Sequence, residues 1–406
     1  MSLSVRSIFK RRLDWIGFVC SVLMIGGILG PISFPPIIVY AVYSVGSVIA
    51  ILLNASVVNK APACLLAVCA LSIVFGQPDP LFHSWERLGL FVLLIFSFFP
   101  LFESRKLTYV RSVILKFSLL LCAIIAIGSL VCFFLGINYM TKYSKALDIE
   151  HFGFFGGLTK HSMMLGPISA ISFLSFAWIS IAVKCQNKYK IIAAIGAFLS
   201  LCVVMLSASR GALLAGLLGC LLMTWARYRH YIHKFYKKIF LLIVAGILAY
   251  PVYEPYLQKV MDKQENNIKA GNTTFYSRSS RWEHRWEEIT ENVVLGCGFA
   301  AMYTKNRRGE YDAKTGVIEP GSSWMGIASQ IGLVGFLIVL YMYVSTFFNL
   351  LKSNNEWSYL LIAIWGFFLV HLVIEGYIFA AGSYLCFFFW LTFGCSYALK
   401  TGYKCR

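Results

Sequence analysis

Apolar residues in this chain fall into long runs that recur from end to end, separated by short polar stretches and one long one. Crossing a bilayer as a helix takes about 20 mostly apolar residues. On that measure the runs predict about twelve spans, at 15–32, 36–53, 62–77, 86–102, 113–136, 162–183, 190–206, 211–226, 239–253, 322–350, 357–375 and 378–399. The pattern predicts an all-α polytopic membrane protein in three parts. Spans one to nine with short loops fill 1–253, a large external loop fills 254–321, and spans ten to twelve with a tail fill 322–406.

Composition agrees with this class. Of 406 residues, 59% are hydrophobic and 13% charged, and the mean hydropathy of +0.72 lies outside the range of ordinary soluble domains. The formal charge of +18 follows the topology. On one side lie Arg6, Lys10, Arg11 and Arg12; Lys60; Arg105, Lys106, Arg111 and Lys116; Lys184, Lys188 and Lys190; Arg227, Arg229, Lys234, Lys237 and Lys238; Lys352; and Lys400, Lys404 and Arg406. Their excess over the acids on that side, Asp14, Glu103 and Glu356, equals the whole net charge. The positive-inside rule puts this side and both termini in the cytoplasm. The charge then reflects topology and attraction to anionic lipid, and no nucleic-acid partner is needed to explain it. Most of the 12 cysteines fall within spans, and no Cys-x-x-Cys or zinc-like spacing occurs. The first apolar run lacks a cleavage site before the second and reads as an uncleaved helix.

Candidate chemistry gathers on the opposite, outer face. Arg210 lies between two apolar runs in Leu206-Ser-Ala-Ser-Arg-Gly-Ala-Leu-Leu-Ala-Gly216. A guanidinium at a helix centre costs about 2.5–3.5 kcal/mol by insertion scales, so it is expected to face a polar cavity or an anionic partner. The loop at 137–161 carries Lys160 and His161. In the large loop, Arg278, Arg281 and Arg285 are spaced i, i+3, i+7 and share a face if the stretch is helical. Three guanidiniums on one face would suit phosphate or diphosphate. Alternatively, Glu283, Glu287, Glu288 and Glu291 pair with them and neutralise the face. Trp286 and Trp324 are candidate sugar platforms. His371 and Glu375, four apart, would share a helix face and contact either the glycan or each other's spans.

Several of these segments together resemble the O-antigen polymerase and O-antigen ligase superfamily. They are the Ser-x-Ser-Arg-Gly-x-x-Leu stretch at Ser207–Leu214, the loop segment with Arg281, Trp286 and Leu295-Gly-Cys-Gly298, and Gln330-Ile-Gly-Leu-Val-Gly335. His371, Glu375, Gly382 and Ser383 follow, and Gly157–Gly166 precedes them. The resemblance implies a glycosyltransferase on the outer side of a bacterial cytoplasmic membrane. Its donor would be a glycan on undecaprenyl diphosphate, and a chain-length regulator would be a further partner. Arg210 and Arg281 would clamp the diphosphate, where preorganised cations stabilise the leaving charge. No cofactor is implied, and cationic side chains would stand in place of a metal.

The chain departs from the family at one position that matters. Ligase-type members carry a His-Asn pair before the Gly-x-x-Gly span, and alignment on Gly332 and Gly335 puts Gly321 at the histidine position. This favours a polymerase over a ligase acting on lipid A core. The candidate general base becomes Glu319, His161 or His284. A flippase or other transporter is the alternative of another class, and it would predict repeated halves with charged or broken helices in both.

If cations replace a metal, chain growth is expected to survive strong chelation. Loss with EDTA and recovery with magnesium or manganese would redirect attention to Glu310, Asp312 and Glu319.

Overall fold

A computed structural model describes residues 12–32, 34–52, 57–140, 155–237, 276–305, 307, 310–353 and 355–398, together with positions 240, 244 and 254. The predicted ninth span, the polar stretch after it and the acidic and basic residues at 141–154 lie largely or wholly outside them.

Within the described residues the architecture is helical. The helices are α1 (Arg12–Gly26), α2 (Ile37–Leu52), α3 (Lys60–Gly76), α4 (Ser84–Phe98), α5 (Arg105–Phe134), α6 (Ser162–Ile181), α7 (Asn187–Leu206), α8 (Arg210–Tyr228), α9 (Tyr276–Glu291), α10 (Ser323–Ser353), α11 (Glu356–Ile374) and α12 (Tyr384–Ala398). Two short antiparallel strands, β1 (Val57–Val58) and β2 (Phe102–Glu103), are the only ladder among these residues. Seven helical segments are long and apolar enough to cross a membrane: α4 with the turn before it, α5 to α8, α10 and α11. The apolar helices α1, α2, α3 and α12 are shorter. The molecule is an all-α polytopic membrane protein.

Contacts between connections sort them onto two sides. On one, Asn59 N–H donates to Leu101 O (3.0 Å), the N–H of Lys184 donates to the Glu356 carboxylate (3.1 Å), and Arg229 donates to Leu351 O (2.8 Å). This is the side where the lysines and arginines gather. On the other, Gly30 N–H donates to Leu158 O (2.8 Å), and the N–H groups of Cys297 and Gly298 donate to Ser329 O and Gln330 O. Arg111 belongs to the basic side yet is fully buried. Its guanidinium donates to the carbonyls of Ser97, Phe99 and Phe102, closing the C-terminal end of α4 where the helix dipole is negative.

The core lies on α11 and α12. Every residue of α12 is buried, as befits a helix that is apolar all round. Its aromatic side chains interlock with those of α4, α10 and α11: Tyr343 stacks on Trp365 at 4.3 Å, and Phe393 meets Trp365 edge-on at 4.8 Å. Two of their polar atoms find partners, with Tyr343 OH donating to Trp365 O (2.7 Å) and the Trp390 indole N–H to Ile378 O (2.8 Å), whereas the buried Trp365 indole N–H has none among the described residues. At the α8–α11 contact, Gly219 and Gly366 let the two backbones approach closely.

The tenth span differs from the single uninterrupted run that its apolar sequence predicts. At Gly332 the backbone takes φ 65°, ψ −174°, and α10 is two helices joined across a kink. The break releases the N–H groups of Leu333 and Val334, which donate instead to Val293 O (2.7 Å) and Val294 O (3.4 Å) in the turn after α9. A Cβ at Gly332 would collide with Val294 O, and one at Gly296 with the Gln330 carbonyl. The two glycine motifs of the sequence are therefore the two halves of one joint, which fixes α9 to the membrane helix.

Gly332→Ala is expected to lose about 1–3 kcal/mol from its backbone conformation alone, with the clash added. Gly89, in α4, has no atom near the position of a Cβ, so Gly89→Ala should be neutral or slightly stabilising. Thermal unfolding of the two purified variants in one detergent compares them directly.

Candidate functional site

The turn between α7 and α8 sets the position of Arg210. Ala208 takes φ 51°, reversing the chain in three residues. Ser209 then caps α8 by accepting from the Ala212 N–H at 3.4 Å. Arg210 is the first residue of α8, and its side chain is exposed. A cation at a helix N-terminus opposes the dipole by about 0.3–1 kcal/mol. Guanidinium and helix end together favour an anion.

Three close packings draw the other outer segments around this turn. Gly166 of α6 lies against Ser207 and Ser209, Gly211 against Ile374 at the end of α11, and Gly376 against Pro320. Ser323 donates from both its N–H (3.1 Å) and its hydroxyl (2.7 Å) to Glu375 O, tying α10 to the end of α11. Gly321, at φ 72°, leaves room for the Arg281 side chain, and the Trp282 indole N–H donates to Gly321 O (3.3 Å). The segments carrying Arg210, Glu375, Glu319 and Arg281 thus form one neighbourhood. Within it Arg281 donates to the Glu319 carboxylate at 2.6 Å, so two candidate residues form an ion pair with each other.

Arg285 is corrected from a substrate contact to a buried brace. It has no exposed surface and donates to Glu288 at 2.7 Å and to the Met302 sulfur at 3.3 Å, with Glu310 at 3.9 Å. Arg307 donates to the other oxygen of Glu288 at 2.7 Å and to Glu287 at 3.2 Å. The His284 ring hydrogen-bonds to Glu310. Burial pushes the Glu288 carboxyl up, while Arg285, the Tyr303 N–H and Arg307 pull it down. Neutralisation by acids thus wins at Arg285, through Glu288 on its own helix and Glu310 from outside it. The Arg278 side chain lies outside the described residues.

The remaining candidates separate. Lys160 donates to Gly27 O at 2.7 Å and ties the loop before α6 to the end of α1. The Nδ1 of His161 accepts the Met163 N–H at 3.1 Å, as the cap of α6. The neutral ring therefore carries its proton on Nε2 and presents a donor there rather than a base. His371 is corrected to a structural role: it is buried, stacked on Phe367 and hydrogen-bonded to Tyr377 OH at 2.9 Å. Glu375 does not share its helix face, because α11 ends at Ile374 and Glu375 is extended. Trp324 packs edge-on against Tyr343 at 5.3 Å, whereas Trp286 is 62% exposed on α9. Glu310 faces His284 and Arg285, and Asp312 accepts from Lys314 N–H and Thr315 within its own turn, which holds its carboxyl below the usual range.

Residues 195–340, from α7 through the break in α10, match a family model described as O-antigen ligase. That match covers about a third of the chain and supports a likeness of this part to the O-antigen ligase/polymerase superfamily. The matched segment takes in the Arg210 turn, the arginine-bearing α9 and both halves of the glycine joint, while Lys160, His161, His371 and Glu375 lie beyond it. No curated protein matches the chain. The family is one of membrane proteins with a glycosyl-transferring function, and its substrates are lipid-linked polysaccharides.

Arg307, which helps hold this neighbourhood together, carried no clear signal in the sequence. Gln330 was legible only as the start of a motif, and the structure adds its contact: it accepts the Ala300 N–H at 3.0 Å inside an apolar run.

Arg285→Ala leaves Glu288 and Glu310 buried with one cation fewer and is expected to cost about 3–5 kcal/mol of stability. Arg281→Ala breaks a partly exposed pair and should cost at most about 1 kcal/mol. Unfolding midpoints of the two variants will separate the brace from the accessible arginine.

Proposed function

We propose that this protein polymerises lipid-linked surface polysaccharide. It transfers a glycan from an undecaprenyl diphosphate donor to the terminal sugar hydroxyl of a second lipid-linked unit, on the outer face of a bacterial inner membrane. The observation that carries the reading is Arg210. It is an exposed guanidinium at a helix start, in the superfamily's segment, packed beside the segments that bear Arg281 and Glu319.

In this reading Arg210 and Arg281 bind the diphosphate from two different elements. Bound diphosphate competes with Glu319 for Arg281. The acceptor oxygen bonds to the anomeric carbon as the bond from that carbon to the diphosphate oxygen breaks. The two guanidiniums stabilise the charge on the leaving group. The acceptor's proton passes to a carboxylate, for which Glu319, released from Arg281, is the candidate. Trp286 offers an exposed face on which a sugar of the growing chain can stack.

Transfer to lipid A core, the ligase reaction, is the second reading, favoured by the description of the matching family model. Against it stands Gly321, at the ligase histidine position. Its φ of 72° is one that L side chains rarely adopt, and a Cβ there would lie 3.1 Å from that of Arg281, so the position disfavours a histidine.

Purified protein in lipid, given a synthetic diphospholipid-linked oligosaccharide without nucleotide or ion gradient, is expected to lengthen it. Transfer only to lipid A core would replace this reading with the ligase, and movement across the bilayer without new bonds would replace it with a transporter. Arg210→Ala should remain in the membrane at near-normal level and lose chain growth by about 10²–10³-fold, the usual loss for a preorganised donor. Arg210→Lys should recover only part of it. If the clamp acts as a unit, Arg210→Ala combined with Arg281→Ala will be about as impaired as either alone; additive losses would separate the two residues.

A further inference from the structure

Far from this site, near the basic side, α3, α10 and α12 leave a groove of about 530 Å³ between them. Lys60, Ala61 and Cys64 line one wall, Leu337 and Tyr341 the other, and Tyr397 the end. The groove opens sideways. Cys64 is exposed, and Leu337 and Tyr341 are 52% and 60% exposed on the face that α10 turns to lipid. Its lining is apolar except for one ammonium and two phenol hydroxyls, and it contains no acid. Among the described residues no acceptor lies against the Lys60 side chain.

We propose that this groove holds one anionic glycerophospholipid of the cytoplasmic leaflet. Its phosphate would lie at Lys60 with the hydroxyl of Tyr341 as a further donor, and one acyl chain would lie along Leu337 and Cys64. Charge complementarity decides the occupant. A zwitterionic headgroup would bring its own cation beside Lys60, whereas an anionic one brings only the phosphate charge that the groove lacks. The basic side is the one that the positive-inside rule assigns to the cytoplasm, and that leaflet carries the anionic lipid. A lysine near such a surface is worth about a fivefold preference. This binding is independent of the glycosyl-transfer reading.

The test uses the full-length protein in detergent, incubated with equal phosphatidylglycerol and phosphatidylcholine, with the lipid that co-elutes on gel filtration measured by mass spectrometry. The wild type should retain phosphatidylglycerol about fivefold over phosphatidylcholine. Lys60→Gln should bring the ratio close to one, and Lys60→Arg should keep it. Lys352→Gln, a basic residue outside the groove, should leave it unchanged. Leu337→Trp, which fills the groove without touching the charge, should lower the amount of both lipids retained. Equal retention by the wild type, an unchanged ratio in Lys60→Gln, or an equal fall in Lys352→Gln would overturn the proposal. So would preferential retention of a polyprenyl phosphate over phosphatidylglycerol when the two are offered together.

Discussion

The break in α10 at Gly332 is the constraint on which the outer half of the molecule depends. A membrane helix normally satisfies its own backbone, and hydrocarbon offers no alternative partner. Here two N–H groups are freed and given to Val293 and Val294, while the carbonyls of Ser329 and Gln330 accept from Cys297 and Gly298. Backbone from the loop replaces the missing helical bonds, so the loop cannot leave without exposing them. α9 is held to α10 by these bonds, and with it the direction in which Arg281 projects. The motif glycines serve this joint: Gly296 and Gly332 each stand where a Cβ would strike backbone of the other segment.

A second layer rests on the joint. The cluster of Arg285, Arg307, Glu288 and Glu310 fills the space behind α9. Breaking a buried ion pair is costly, but replacing one with well-packed apolar residues is often not, so the cluster is weak evidence for stability as such. Its geometric effect is clearer. Glu288 ties Arg285 on its own helix to Arg307 on the following strand of loop and accepts the Tyr303 N–H at 2.9 Å. One carboxylate thereby fixes the rotation of α9, turning Arg285 inward and leaving Arg281 at the rim beside Glu319.

Much of this was legible in the sequence, and what was missed has identifiable causes. Eleven predicted spans coincide with described helices, to within four residues at most ends, six at the end of α1 and the start of α12, and eight at the start of α5, because uninterrupted apolar runs report lipid burial directly. The helix carrying the three arginines was legible in its spacing, which says that side chains share a face but not where that face points. For Arg285 one partner, Glu288, was offered by its own helix, whereas Glu310, and Arg307 on the other oxygen of Glu288, lie in another part of the loop. Gly332 was recognised as part of a motif, yet its kink was hidden, since Gln330-Ile-Gly-Leu-Val-Gly335 reads as membrane throughout. Glu375 failed for the opposite reason: helical spacing was extended one residue past the end of α11 at Ile374. Arg210 was legible as lying at the outer end of a short hairpin between two apolar runs, and the structure adds the three-residue reversal at Ser207–Ser209 that makes it the first residue of α8.

That reversal gives Arg210 and Arg281 different physical characters. Arg281 has a carboxylate at 2.6 Å that neutralises it. Arg210 stands at the positive end of α8, where the dipole adds to its charge. In the proposed reading, a diphosphate held by both arginines must displace Glu319 from Arg281. Arrival of the donor is then coupled to release of a carboxylate beside it. An Arg281 without Glu319 would bind the same anion without that coupling.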